Sequence, residues 1–158
     1  MDFELSEEQK MLRDSARDFL ASQCPSSFVL EMEKDEKGYT TEFWRKMAEL
    51  GWMGLVIPEV ERGVGGSFLD LIIMLEEMGR ACVPGPFFST VVLGCQAILE
   101  AANDSQRDKI LPKIAGGDLL LTLAHTEPQQ TRYDPFSINT RATRSDGQYQ
   151  IDGIKIFV

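Results

Sequence analysis

The chain has 158 residues, of which 43% are hydrophobic and 26% charged, and its formal net charge is -9 at pH 7. This composition is enough to bury a core and excludes a disordered tail, while the acidic balance removes the cationic surface that nucleic-acid binding requires. Purely apolar runs of about five residues, such as 71–75, are far shorter than the ~20 needed to span a bilayer, so neither nucleic acid nor membrane is an expected partner.

A capping box at residues 6–9 predicts the start of the first helix, because Ser6 can accept from the Gln9 amide while the Gln9 side chain reaches back. Pro25 ends this helix, since proline lacks the amide donor that a helical turn needs. The charged residues 31–38 are expected to form a solvated connection.

Two further helices are predicted on either side of a glycine-rich turn. Residues 41–50 carry apolar side chains at helical spacing, and Gly51 is placed to end that helix in a left-handed turn. Residues 63–66 lack the lysine and the spacing of a phosphate loop, so they are interpreted as a turn. Ser67 then caps a strongly apolar helix that extends to about Arg80 and belongs at the centre of a bundle.

The last helices are predicted over residues 88–102 and 105–114, after the helix-breaking Pro84-Gly85-Pro86. Near Asp118 the period changes from helical to alternating, which predicts a strand from 118 to 126. Leu123 and His125 would lie on one face of that strand and Thr126 on the other.

Further β structure is predicted over residues 137–144, 148–152 and 154–158, with turns at Asp146-Gly147 and Asp152-Gly153. The predicted fold class is therefore α+β, an N-terminal all-α helical bundle followed by an antiparallel β-domain. We place the helical domain at residues 1–117 and the first part of the β-domain at 118–158. The final apolar strand has no turn or polar cap, from which we expect a truncated chain or a proteolytic fragment.

The cysteines and the first residues bear on the cellular compartment. Cys24, Cys82 and Cys95 are odd in number and form no C-x-x-C motif, which argues against a disulfide framework or a metal site. The acidic residues 1–8 lack the basic and apolar regions of a secretory signal. These features predict a cytoplasmic protein whose cysteines are small buried side chains.

Several motifs in this order resemble the acyl-CoA dehydrogenase family across the whole chain. The motifs that carry the resemblance are L-V-I-P-E at 55–59, E-E-M-G-R at 76–80, I-L-P-K-I-A-G-G at 110–117, L-T-L-A-H-T-E-P at 121–128 and I-D-G-I-K-I-F at 151–157. The resemblance implies a helical domain, a middle β-domain and a second helical domain that together enclose FAD and an acyl-CoA thioester.

The resemblance implies a FAD-dependent dehydrogenase that oxidises an acyl-CoA thioester between Cα and Cβ. The family's catalytic base lies in the second helical domain, so no catalytic residue is assigned and the 158 residues alone are expected to be inert. An electron-transfer flavoprotein or similar acceptor and a homo- or hetero-oligomer are the implied partners. Two alternatives stay open: a non-catalytic subunit of a heteromeric enzyme, and a flavoenzyme similar to the acyl-CoA oxidases.

Four residues match positions that contact the cofactor in this family. Thr126 would bring its hydroxyl and amide to the pyrimidine edge of the flavin, where donors stabilise the charge that reduction creates. Leu123 and His125 would offer backbone groups to the same ring, and Phe157 would abut it. Without the resemblance, Thr126 and Phe157 read as structural residues of a sheet, and His125 reads as non-catalytic.

One loop departs from the family pattern. Where the family has Gly-x-Gly-Ser-Asp beside the FAD pyrophosphate, residues 129–134 read Q-Q-T-R-Y-D. Arg132 could substitute by its charge. The loss of the glycines also suits a subunit that has abandoned FAD, as in heteromeric members that act on steroid-like thioesters.

Overall fold

The computed structural model describes residues 4–128, 134 and 136–158, which divide into two compact units, Met1–Leu121 and Thr122–Val158. The first unit contains the helices α1 (Glu7–Gln23), α2 (Ser26–Met32), α3 (Thr41–Glu49), α4 (Phe68–Arg80), a π-helix (Phe88–Cys95), α5 (Gln96–Ala101) and α6 (Asp104–Ala115), with 3-10 turns at Trp52–Gly54 and Glu59–Glu61. The second contains the strands β1 (Arg141–Ser145) and β2 (Gln148–Asp152). The predicted α+β class is confirmed. Among the described residues, no helix is both long and apolar enough to cross a membrane.

The predicted helix starts are confirmed where a local cap specifies them. At α1 the Ser6 hydroxyl accepts from the Gln9 amide at 3.2 Å, and the Gln9 side chain accepts from the Ser6 amide at 3.1 Å. Ser67 and Asp70 form the same reciprocal pair at the start of α4. Gly51, which follows α3, has a φ of 79°, the left-handed conformation that glycine adopts without steric cost.

Two helical segments differ from the prediction. Residues Ser26–Met32 form α2, so the expected solvated connection begins only after Met32, which is buried. The N-cap of α2 is Pro25, which makes no side-chain hydrogen bond to the helix, so the sequence has no capping motif that predicts this helix. The predicted helix 88–102 divides into the π-helix and α5, and buried Thr90 lies in the π-helical part.

The core of the first unit forms around α1, α3 and α4, with a second cluster beneath α6. The buried residues of the main cluster are Ala16, Leu20, Cys24, Phe43, Trp44, Met47, Trp52, Met53, Leu55, Leu71, Met74, Met78, Phe87 and Val91. Ile57, Cys95, Leu111 and Ile114 form the second. Trp44 also satisfies its indole N–H, which donates to the Gly117 carbonyl at 3.0 Å.

The strand predicted over residues 118–126 is not present, which corrects that assignment. The backbone of Leu121 bonds instead to the Thr90 side chain. The Thr90 hydroxyl accepts from the Leu121 amide at 3.2 Å and donates to the Leu121 carbonyl at 3.3 Å. Alternating sequence favours a strand only where a neighbouring strand completes the ladder, and no such ladder forms here among the described residues.

Within the second unit, β1 and β2 form an antiparallel hairpin in the register Arg141↔Asp152 to Ser145↔Gln148. The predicted turn is confirmed, since Asp146 and Gly147 have φ values of 51° and 78°. The other predicted turn, at Asp152-Gly153, is wrong because Gly153 does not adopt a positive φ. Residues 137–140 and 154–158 lie outside the strands, although both had been predicted as β structure.

Candidate functional site

Separate segments of the second unit meet at the side chain of Glu127, whose exposed fraction is only 1%. Its carboxylate accepts from the backbone amides of Asn139 and Thr140 at 2.7 and 2.9 Å. The Thr140 hydroxyl donates a further hydrogen bond of 2.6 Å. The T-E-P motif is thereby tied to the segment that leads into β1.

Lys155 is the charged partner of Glu127. Its ammonium group lies 2.8 Å from a Glu127 carboxylate oxygen and donates a second hydrogen bond, of 3.2 Å, to the carbonyl of His125. The next residue, Ile156, donates its backbone amide to the Thr126 carbonyl at 2.9 Å. The three consecutive residues 125–127 are therefore each held by Lys155 or Ile156.

These hydrogen bonds hold the pKa of Glu127 far below its ordinary value. The largest cause is the bond from Lys155, followed by those from the Thr140 hydroxyl and from the amides of Thr140 and Asn139, which outweigh the opposing effect of burial. Glu127 is thus ionised at neutral pH, and its carboxylate oxygens are occupied by hydrogen bonds and the ion pair with Lys155. A general base works best with a pKa near the operating pH, so Glu127 is unsuited to that role.

Thr126 has donors available at the centre of this arrangement. Its side chain is half-buried, and its carbonyl is occupied by Ile156. Within the residues that the structure describes, neither its amide nor its hydroxyl donates a hydrogen bond. His125, which precedes it, is also half-buried, and its carbonyl already accepts from Lys155.

Leu123 and Phe157 are less enclosed than the other predicted site residues. The exposed fraction of Leu123 is 44% and that of Phe157 is 92%. Phe157 has a φ of 57°, which is unusual for an aromatic residue. Within the described residues, the Phe157 side chain is therefore not packed on a sheet face. Its contact with a flavin stays a prediction.

Sequence reasoning missed Glu127 and Lys155 as organising residues. The available signal was Lys155 itself, the single charge in the apolar run 154–158. A lysine side chain that is largely buried needs an opposite charge or several hydrogen-bond acceptors. Its partner lies 28 positions away in the chain, so the sequence pattern alone could not select Glu127.

The departure from the glycine-rich family loop falls mostly on residues 129–133, which lie outside the described residues. At the end of this loop, the Asp134 carboxylate accepts from the Phe136 amide at 3.0 Å, and its carbonyl accepts from the Ser137 amide at 3.2 Å. Such bonds are typical of an aspartate-stabilised turn. Whether Arg132 replaces the missing glycines stays a prediction.

An apolar cavity of about 380 Å³ lies in the first unit, between the end of α4 and the start of the π-helix. The residues that line it are Leu75, Met78, Gly79, Cys82, Val83, Gly85, Phe87 and Phe88. No charged side chain is among them. A volume of this size is within the range of small-molecule sites, and the lining suits an aliphatic group.

Comparison with known proteins identifies the family. Residues 6–118 match the family described as "Acyl-CoA dehydrogenase, N-terminal domain". That match covers more than half of the chain, which therefore belongs to the acyl-CoA dehydrogenase family, a family of oxidoreductases.

Individual relatives agree with this assignment. An acyl-CoA dehydrogenase of Bacillus subtilis is 32% identical over 157 residues, which cover 98% of this chain and 40% of the relative. The mitochondrial isovaleryl-CoA dehydrogenase of Bos taurus is 29% identical, with 98% of this chain and 36% of the relative covered. The chain thus spans about 40% of the length of the curated relatives that it matches.

Solved structures show the same fold. A variant of the Tcur3481-Tcur3483 steroid ACAD has a TM-score of 0.84 at 29% identity, with 95% of this chain and 40% of that chain covered. A glutaryl-coenzyme A dehydrogenase in complex with glutaryl-CoA has a TM-score of 0.83, also at 29% identity, and the coverage is 98% and 40%. The ChsE4-ChsE5 complex of Mycobacterium tuberculosis has a TM-score of 0.79 at 28% identity, covering 99% and 39%.

Proposed function

We propose that this chain is part of a FAD-dependent acyl-CoA dehydrogenase that oxidises an acyl-CoA thioester between Cα and Cβ. Membership of the family supports the reaction class. The observation that carries the cofactor assignment is the immobilised peptide of Thr126, whose carbonyl is bonded to Ile156 while its amide and hydroxyl are left without acceptors among the described residues.

The donors of Thr126 fit the pyrimidine edge of a flavin, which presents the acceptors N1 and the C2 carbonyl oxygen. A threonine hydroxyl and a backbone amide are both neutral donors that a rigid backbone can hold in place. Bound FAD would supply the hydride acceptor of the reaction. The backbone of Leu123 and the aromatic ring of Phe157 are proposed as further contacts, and His125 as a backbone contact whose carbonyl also serves Lys155.

The remaining parts of the activity are assigned outside this chain. Glu127, the buried carboxylate next to Thr126, is paired with Lys155 and unsuited to proton abstraction. We therefore propose that the catalytic base belongs to another part of the enzyme. We also propose that an electron-transfer flavoprotein or similar acceptor reoxidises the reduced flavin. The apolar cavity between α4 and the π-helix is proposed to take part of the acyl chain. The three free cysteines support a reducing, cytoplasmic location.

A second candidate is a subunit of a heteromeric enzyme that does not itself complete a flavin site. Two observations favour it: residues 129–134 lack the family's glycines, and structural neighbours include the ChsE4-ChsE5 complex and the Tcur3481-Tcur3483 steroid ACAD. The absorbance spectrum of the holoenzyme, with and without a second subunit, separates the two candidates. A third alternative, a flavoenzyme similar to the acyl-CoA oxidases, differs from a dehydrogenase in that oxygen reoxidises its reduced flavin, so the rate of reoxidation by oxygen distinguishes the two.

The cofactor assignment is tested by Thr126→Val in the holoenzyme that contains this chain. Valine keeps the shape of threonine and removes the hydroxyl donor. A hydrogen bond to a charged acceptor contributes about 1.5 to 3 kcal/mol and a neutral one less, so the reduced flavin should lose more stability than the oxidised one. The flavin potential should therefore fall by about 30 mV for each 1.4 kcal/mol of difference.

The matched control is Thr122→Val, which is the same substitution at an exposed residue of the same segment. It should leave the potential unchanged. The rate of flavin reduction should fall in Thr126→Val while the affinity for the thioester stays near its original value. An unchanged potential in a folded, flavin-loaded Thr126→Val enzyme would show that Thr126 is a structural residue.

A further inference from the structure

Lys155 and Ile156 bond to Thr126 and to the residues on both sides of it. The Lys155 ammonium bonds to the carbonyl of His125, on one side, and to the carboxylate of Glu127, on the other. The Ile156 amide bonds to the carbonyl of Thr126 itself. These bonds restrain the peptide plane that carries the Thr126 amide, so they set the direction of the amide and the position of the Cα atom from which the hydroxyl extends.

Glu127 is in turn held by the segment before β1. Glu127 receives three hydrogen bonds from Asn139 and Thr140 in addition to the ion pair, and these bonds hold its carboxylate in one orientation. A Cβ at Gly153 would overlap the Thr140 side chain, so only glycine permits the chain before Lys155 to approach this closely. The Lys155 ammonium therefore contacts a Glu127 carboxylate whose orientation is already fixed by Asn139 and Thr140.

We propose that Lys155 and Glu127 are positioning residues that aim the hydroxyl and amide of Thr126 at its ligand. This inference rests on the proposed function, because the ligand is the flavin. Neither residue touches the flavin in this assignment, and each acts through Thr126. A donor that is held in place gains more from a developing charge than one that must be ordered during the reaction.

The first test is Lys155→Met in the holoenzyme, with the FAD dissociation constant and the flavin potential as readouts. Methionine keeps most of the length of the aliphatic stem and removes both hydrogen bonds to residues 125–127. We expect FAD affinity to fall by about tenfold, because the Thr126 donors are no longer held toward the flavin, and the potential to fall. Affinity and potential that both stay at wild-type values in a folded Lys155→Met enzyme would overturn the inference.

Glu127→Gln distinguishes positioning from a direct effect of charge. Glutamine keeps one oxygen, which can accept from Thr140 or from Asn139 but not from both, since these residues bond different carboxylate oxygens, and it loses the ion pair. If the pair positions Thr126, both Glu127→Gln and Lys155→Met loosen the same peptide, and both lower the potential. If the charges act directly on the flavin, removing an anion raises its potential and removing a cation lowers it. Shifts of opposite sign would therefore overturn the inference.

A double-mutant cycle separates failure of this inference from failure of the proposed function. In a Thr126→Val background, Lys155→Met should shift the potential by less than it does in the wild-type enzyme, because the hydroxyl is already missing and only the part of the effect carried by the Thr126 amide remains. If Thr126→Val lowers the potential and Lys155→Met adds its full effect, the site assignment survives and the positioning role is wrong. If Thr126→Val has no effect, the proposed flavin contact itself is wrong.

Stability is controlled in two ways. Glu61→Gln is the matched variant in the helical unit, where Glu61 is buried and ion-paired to Arg107 at 2.7 Å. It should lower thermal stability while FAD affinity and potential stay unchanged. If single variants do not fold, the neutral double variant Glu127→Gln/Lys155→Met leaves no buried charge unpaired. It should still show the lowered potential, and a wild-type potential in this variant would count against positioning.

Discussion

Arg17 on α1 and Glu77 on α4 form a two-fold hydrogen-bonded ion pair, with distances of 2.6 and 3.0 Å between the guanidinium nitrogens and the carboxylate oxygens. The Glu77 side chain is only 2% exposed, and a second guanidinium, of Arg80, lies 3.6 Å away. The bond from Arg17 is the largest cause that lowers the pKa of Glu77, and it outweighs burial. The pair joins the two helices that form much of the main core.

Glu77→Gln should lower the melting temperature at pH 7, because a charge-assisted bidentate interaction becomes a neutral one. The difference from wild type should shrink as the pH falls. A carboxylate whose folded pKa is depressed contributes its stability above the unfolded pKa, near 4.5, and loses it as the pH falls through the folded value. Thermal unfolding from pH 7 to pH 3 measures this. Glu76→Gln, at the exposed neighbouring residue, should show no such convergence.

Cys82→Gly should stabilise the protein. Cys82 is exposed, so the prediction that the cysteines are buried is wrong for this residue. Cys82 follows the end of α4 with a φ of 51°, and the Val83 amide closes the helix on the Met78 carbonyl at 3.0 Å. The left-handed conformation costs a non-glycine residue about 1 to 2 kcal/mol, and the entropy of glycine in the unfolded chain offsets about 0.5 to 1 kcal/mol. We expect a gain of about 0.5 to 1 kcal/mol in the free energy of unfolding. Ala81→Gly, at a right-handed position, should destabilise instead.

Two glycine-to-alanine substitutions should act in opposite directions. A Cβ at Gly63 would overlap the carbonyl oxygen of Ile57, a buried backbone group that cannot move aside cheaply. Gly63→Ala should therefore cost about 2 kcal/mol or more. At Gly79, within α4, a Cβ meets no atom within 4 Å outside its own helix, so Gly79→Ala should add about 0.5 to 1 kcal/mol. Denaturant unfolding measures the change in the free energy of unfolding for each variant. Changes of the same sign in the two variants would contradict this prediction.

Amide exchange in the 158-residue chain should be faster in the hairpin of β1 and β2 than in α4. Every residue of β1 and β2 is exposed, whereas α4 buries Leu71, Ile73, Met74 and Met78. A two-stranded hairpin without a packed face is marginally stable in water. We expect its amides to exchange at least about tenfold faster than those of α4. Equal protection of the hairpin and α4 in a verified monomer would show that the hairpin packs on a surface.

Helix starts and tight turns could be predicted from the sequence because their causes are local. Ser6 and Gln9 are three residues apart, as are Ser67 and Asp70, and each pair satisfies amides that any helix start leaves free. The Asp146-Gly147 turn is equally local. The family resemblance came from such motifs in order, and the match over residues 6–118 confirms it.

Tertiary structure alone decided the features whose partners are distant in the chain. The alternation over residues 118–126 satisfies the pattern of a strand, but Thr90 takes the backbone bonds of Leu121. α2 has no side-chain cap and is stabilised by packing of its apolar residues on the core. Glu127 and Lys155 are 28 residues apart, and their pairing depends on two loops meeting. A sequence pattern states which groups must find partners, and only folding determines which partners they find.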